Sequence, residues 1–133
     1  MIDIIKNALE EDIGKGDITT NLIVPKSLKV KAIILVKEEG IIAGLPFAEK
    51  VFKTLDKKIL FKRKIKEGAK VKKGTIVAEI EGNARAILIG ERTALNILQK
   101  LSGIATLTSK FVKSAGKVKI LDTRKTTPGL RVL

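Results

Sequence analysis

Apolar residues fall at helical spacing from the start of the chain. Ile4, Ile5, Ala8 and Leu9 share one face, Asp3 can cap the segment, and Gly14 can end it in a left-handed conformation. The following Lys15-Gly16-Asp17-Ile18-Thr19-Thr20 predicts a turn, since glycine frees the backbone and Asp and Thr side chains can satisfy it locally. Between Leu28 and Val36 the period becomes two: Leu28, Val30, Ala32, Ile34 and Val36 alternate with Lys29 and Lys31. Ile33 and Leu35 make the second face apolar too, which predicts a strand whose far end is covered on both sides. Pro46 opens a helix with Phe47, Val51, Phe52 and Leu55 on one stripe. The alternation Ile59, Phe61, Arg63, Ile65 predicts a second strand.

From Glu67 to Ile80, Gly68 and Gly74 flank a short apolar-centred segment, as in a pair of tight turns feeding a strand. The segment resembles half of a biotinyl or lipoyl carrier domain. No second half with a modifiable lysine accompanies it, so the likeness is read as one of sheet geometry, and no lysine modification is expected. From Glu91 onward the pattern is helical again: Ala94, Leu95, Ile97, Leu98 and Leu101 form a broad apolar face. Ser102-Gly103 interrupts it, and Ile104, Leu107, Phe111, Val112 and Ala115 form another, ended by Gly116. Two consecutive helices with a turn between them are predicted. Lys117 to Leu121 then reads as a strand with Val118 and Ile120 facing a core, followed by the polar loop Asp122 to Thr127.

Composition narrows the chemistry. Among 133 residues there is no His, Cys, Trp or Tyr, which removes Ser-His-Asp and Cys-His catalysis, imidazole or thiolate metal sites and disulfides. A metal would have to use oxygen ligands, which points to magnesium rather than zinc. The formal net charge of +13 attracts anions, whether nucleic acid, acidic lipid or small phosphorylated and carboxylated substrates. With four Phe as the only aromatic residues, a stacking surface for nucleic acid is poorly supplied. No secretory signal or membrane-length apolar run is read, and the cytoplasm is the expected compartment.

Two places could carry function. A strand running directly into Asp122-Thr123-Arg124-Lys125-Thr126-Thr127 puts a planar guanidinium fork beside a compact ammonium, at the end of a strand where α/β folds bind ligands. A carboxylate or phosphate suits such a pair; a solvated loop is the alternative reading. The second place is Glu91-Arg92-Thr93, taken as a helix start, where a cation opposes the helix dipole. Either Glu91 neutralises Arg92 or Arg92 reaches an anion from elsewhere.

Three segments together, ALEEDIGKGDITT (8–20), ERTALNILQKLSGIATLT (91–108) and LDTRKTTPGLR (121–131), resemble the first half of the quinolinate phosphoribosyltransferase family, in the family's order and across essentially the whole chain. The resemblance implies an α+β chain: an N-terminal α/β sandwich (hammerhead-like) domain with linking helices over 1–115, then at 116–133 the first strand and loop of an α/β barrel. It implies phosphoribosyl transfer from phosphoribosyl pyrophosphate (PRPP) to the ring nitrogen of quinolinate with decarboxylation, giving nicotinate mononucleotide, CO2 and pyrophosphate on the route to NAD. It further implies a homo-oligomer built on dimers and Mg²⁺ bound with PRPP, the metal's ligands falling after residue 133. Carried over by position, Thr123, Arg124 and Lys125 bind substrate: Arg124 and Lys125 hold the quinolinate carboxylates, with Lys125 also near the PRPP phosphates. Arg92 reaches the neighbouring subunit's site. No catalytic residue is assigned within the chain.

An α/β barrel takes about 200 residues or more, so the chain alone is expected to be incomplete and inactive, the remainder coming from a longer protein or a second chain. The competing readings are a molybdate-transport-associated paralogue of the same fold and a basic nucleic-acid-binding module.

Overall fold

The computed structural model describes residues 3–131. In chain order the elements are α1 (Ile4–Ile13), α2 (Ile18–Ile23), β1 (Lys29–Leu35), β2 (Gly40–Ile41), α3 (Leu45–Leu55), β3 (Leu60–Arg63), β4 (Lys70–Val71), β5 (Ile76–Asn83) and α4 (Ala84–Ala115). β1, β5 and β3 form one antiparallel sheet in that spatial order, and β2 pairs with β4 in a second, smaller antiparallel one. The chain is therefore α+β.

The core forms where the sheet meets the helices. Leu45 and Val51 of α3, Ile59 before β3 and Val77 of β5 are its largest fully buried side chains, and Phe52 stacks on Phe61 with ring centroids 6.1 Å apart. α3 and α4 pack directly on each other, with α1 against both. A side chain at Gly90 would put its Cβ 2.9 Å from Leu55 Cδ1 and 3.1 Å from Phe52 Cδ1, so glycine there lets the two helices meet closely. The outward side of the larger sheet is a solvated charge array. Glu79 and Glu81 on central β5 pair with Lys64 at 2.7 Å and with Lys31 at 3.4 Å.

Several sequence expectations are met. Asp3 caps α1, accepting from the Ile5 and Lys6 amides; Gly14 closes it at φ 53°; and Pro46 sits in the first turn of α3. Gly68 and Gly74, at φ 76° and 86°, make the two turns around β4 that feed β5.

Others are corrected. The stretch Lys15 to Thr20 turns only as far as Asp17, which then caps α2 by accepting from the Thr20 amide at 2.9 Å and the Thr20 hydroxyl at 2.6 Å. The far end of β1 is not covered on both sides, since Ile33 is 53% and Leu35 39% exposed. α4 is one helix of 32 residues, not two. Its buried stripe begins at Ala84 and continues through Ala86, Ile87, Gly90, Thr93, Ala94 and Leu98, with Asn83 as the cap. The helix continues past Ser102-Gly103 because the Ser102 hydroxyl is engaged with Ala43, while the position of Gly103 faces open space. Lys117 to Leu121 is not a strand: no described strand lies beside it to complete a ladder, and Val118, Ile120 and Leu121 are exposed.

Candidate functional site

Arg92 lies well inside α4, not at a helix start, so no clash with the helix dipole needs explaining. Its position follows from the buried stripe of α4: Thr93 and Ala94 turn into the core, which leaves Arg92 at the rim facing the last turn of α1. There its Nη1 donates to Asp12 Oδ1 at 3.1 Å, and the Thr93 hydroxyl lies 3.5 Å from the other oxygen of Asp12. Glu91 is not Arg92's ion-pair partner; Asp12 is. A cavity of about 370 Å³ opens beside this pair, lined by Ala8, Glu11, Asp12, Arg92, Thr93, Asn96 and Ile97.

Asp17 stands across the turn from Asp12. The hydroxyl of Thr20, then its amide, hold the Asp17 carboxyl below its usual range against an opposing cost of desolvation, and the Arg92 charge makes the least contribution. Arg92 thus has one carboxylate in contact, that of Asp12.

Thr123, Arg124 and Lys125 lie in the exposed segment after α4. The Thr123 hydroxyl accepts from the Lys125 amide at 3.1 Å, a local turn that fixes their order in space. Thr123 and Lys125 line a second cavity of about 590 Å³, whose apolar wall comes from α1 and α4 through Ile4, Ala8, Ile97, Leu101 and Ile104. Arg124 is not among the residues lining it. The two cavities share Ala8, Asn96 and Ile97, so Arg92 and Lys125 border adjoining spaces on one side of the molecule.

Asn96 and Lys100 were not singled out from the sequence. Both line the second cavity, and they follow Arg92 at successive i+4 steps. That polar row on one helix face was visible among the apolar positions around it. Arg85 was also missed. Its guanidinium donates to the Val24 carbonyl at 2.7 Å, the Asn21 carbonyl at 2.8 Å and the Asn21 side-chain oxygen at 3.1 Å, fastening the end of α2 to the start of α4. Among the described residues no group of three or more His, Cys, Asp or Glu side chains converges as a metal site; the ligands of the magnesium are expected after residue 133.

A family model described as "Quinolinate phosphoribosyl transferase, N-terminal domain" matches residues 17–102, and its "C-terminal domain" counterpart matches 104–133. "Quinolinate phosphoribosyltransferase [decarboxylating] 2b, mitochondrial" of Nicotiana tabacum is 42% identical over 132 residues, covering 98% of this chain and 38% of that protein. Among solved structures, that of NadC from Streptococcus pyogenes superposes with a TM-score of 0.94 at 41% identity, over 98% of this chain and 47% of that one. The nicotinate-nucleotide pyrophosphorylase from Francisella tularensis superposes at 0.88 with 42% identity, over 96% of this chain and 46% of its own. The chain thus spans less than half the length of each of these relatives.

Proposed function

Because the chain belongs to the quinolinate phosphoribosyltransferase family, we propose that it contributes substrate-binding side chains to phosphoribosyl transfer from PRPP to quinolinate, with loss of CO2 and pyrophosphate to give nicotinate mononucleotide. The observation that carries this reading is the match of both family models, to residues 17–102 and 104–133, together with the open cavity of about 590 Å³ that Thr123 and Lys125 line.

The chemistry suits these residue types. Quinolinate is a dianion and PRPP carries several negative charges, so the two repel as they approach. The Lys125 ammonium and the guanidinium groups of Arg124 and Arg92 offset that repulsion, and a guanidinium fork fixes the plane of a carboxylate. Orientation of the ring nitrogen toward the anomeric carbon follows from holding the carboxylates. As pyrophosphate departs, negative charge grows on it, and basic side chains already in place stabilise that charge without reorganising. Decarboxylation then draws on the positive ring nitrogen of the product, so this step needs no protein nucleophile. Magnesium, expected to bind with PRPP through residues after 133, would supply further positive charge to the departing pyrophosphate.

Arg92 is proposed to act on a neighbouring subunit of a dimer-based homo-oligomer; its side chain, 73% exposed, is free to be covered by one. The cytoplasm is the proposed compartment, and among the described residues no helix is long and apolar enough to cross a membrane.

The test is quinolinate-dependent release of pyrophosphate from PRPP by an enzyme containing this chain. Arg92→Ala should lower kcat/KM by about 2 kcal/mol, the low end for a truncated charge partner because the group is exposed. Mixed dimers with a second active-site variant should regain activity if Arg92 works in trans. No turnover with quinolinate would overturn the reading in favour of a paralogous substrate.

A further inference from the structure

Within the segment 8–20, Asp12 is the residue whose side chain meets Arg92. We propose that Asp12 is a positioning residue: seated against the buried hydroxyl of Thr93, its carboxylate holds the Arg92 guanidinium in the orientation that receives the anionic substrate. The proposal rests on the reading of Arg92 as a substrate ligand.

The geometry is asymmetric in the way an orienting pair requires. Thr93 is 4% exposed and the Asp12 side chain 21%, while the Arg92 side chain is 73% exposed. The carboxylate is therefore the anchored partner and the guanidinium the presented one. An ion pair this open to water contributes little to stability, so a purely stabilising role accounts poorly for it. A guanidinium has five N–H donors, and the contact with Asp12 engages Nη1, leaving the rest of the fork available to a carboxylate or phosphate.

The rest of the segment completes the arrangement. Gly14 and Gly16, at φ 53° and 122°, let the chain reverse between α1 and α2, a path that a side chain at either position would strain. The reversal brings Asp17 back toward α4, where the buried Thr20 fixes it by the two hydrogen bonds described above. Thr20 and Thr93 are the only buried polar residues among those described; Thr20 fixes Asp17 by two hydrogen bonds, and the Thr93 hydroxyl lies 3.5 Å from the Asp12 carboxylate that meets Arg92. An arginine tethered in this way loses less side-chain freedom when a ligand arrives.

Steady-state kinetics of the enzyme containing this chain test the proposal, with quinolinate varied at saturating PRPP. Asp12→Asn should raise KM for quinolinate about tenfold while changing kcat less than about twofold, with Asp12→Glu recovering most of the loss. In an Arg92→Ala background, Asp12→Asn should add nothing. An unchanged KM, or the same increase in both backgrounds, overturns the proposal. If Asp12→Asn does not fold, Thr93→Val removes only the supporting hydroxyl and should shift KM in the same direction, again only when Arg92 is present. If Arg92→Ala itself leaves quinolinate kinetics untouched, the reading of Arg92 fails instead. NMR of the 133-residue chain reads the clasp independently of turnover: guanidinium proton exchange should be slower in wild type than in Asp12→Asn, and equal rates overturn the proposal.

Discussion

Ser102 and Thr106, one turn apart on α4, take the place of a missing strand beside β2. The Ile41 amide donates to Thr106 Oγ1 at 2.8 Å and the Ala43 amide to Ser102 Oγ at 3.0 Å, while the Ser102 hydroxyl returns a bond to the Ala43 carbonyl at 3.2 Å. The spacing works because residues four apart on a helix rise by about 6 Å, close to the roughly 6.6 Å between alternate residues of a strand. Replacing both by Ala and Val leaves two half-buried amides without partners. Each net hydrogen bond contributes about 1 kcal/mol, and an unsatisfied amide costs about 1–3 kcal/mol. The cavity of about 560 Å³ beside Ser102 and Thr106 admits water, which keeps the cost low in that range. The pair should therefore contribute about 2–3 kcal/mol, which lowers Tm by roughly 10 °C for a domain of this size. Urea unfolding measures the loss, and amide hydrogen exchange at Ile41 and Ala43 locates it. Thr106→Ser, which keeps the hydroxyl, should retain most of the stability. If both amides exchange at the wild-type rate in the double variant, the ladder-like role assigned to the hydroxyls is wrong.

Two other substitutions or conditions probe the fold. Gly44 precedes α3 at φ 104° with no side chain to cap it, and the Glu67 carboxylate accepts from the Gly44 amide and from the Leu45 amide at 3.1 Å instead. Glu67→Ala should cost about 1 kcal/mol in urea unfolding, more than Glu67→Gln does. Among the described residues, four carboxyls sit below their usual range: Asp17 held by Thr20, Asp3 by the Lys6 amide, Glu79 by Lys64, and Glu49, where burial pushes upward but Lys53 and Arg63 prevail. Since the folded values are the lower ones, their contribution is complete above the ordinary carboxylate range near pH 4 and is lost as pH falls through the folded values. The unfolding midpoint should accordingly drop in acid, and a midpoint that stays level down to pH 3 would contradict the assignments.

Much of this architecture was legible in the sequence because local signals sufficed for it. Asp3 and Gly14 delimit α1, Pro46 opens α3, and the glycines at 68 and 74 mark the turns around β4. Errors arose where a distant partner overrode a local preference. Ser102-Gly103 reads as a break until the Ala43 backbone supplies the serine with a partner. Lys117 to Leu121 has the alternation of a strand, but a strand is defined by its neighbour, and none is beside it among the described residues. In the candidate site, Thr123, Arg124, Lys125 and Arg92 were visible as charge or hydroxyl in distinctive patterns. Asp12 was not, because its meaning lies in a contact across eighty positions of chain, and Lys100 was hidden by the abundance of other lysines.

The unbroken length of α4 has a mechanical consequence. Its 32 residues span about 48 Å, pinned against α3 at Gly90 and held again at Ser102 and Thr106, so the helix acts as a rigid beam with two bearings. The final turns, carrying Leu107, Phe111 and Val112 into solvent, project past the second bearing as a cantilever. The arginine near the first bearing and the loop that returns along Ile97, Leu101 and Ile104 therefore sit on one stiff edge, and a joint at Ser102-Gly103 would have left their spacing adjustable.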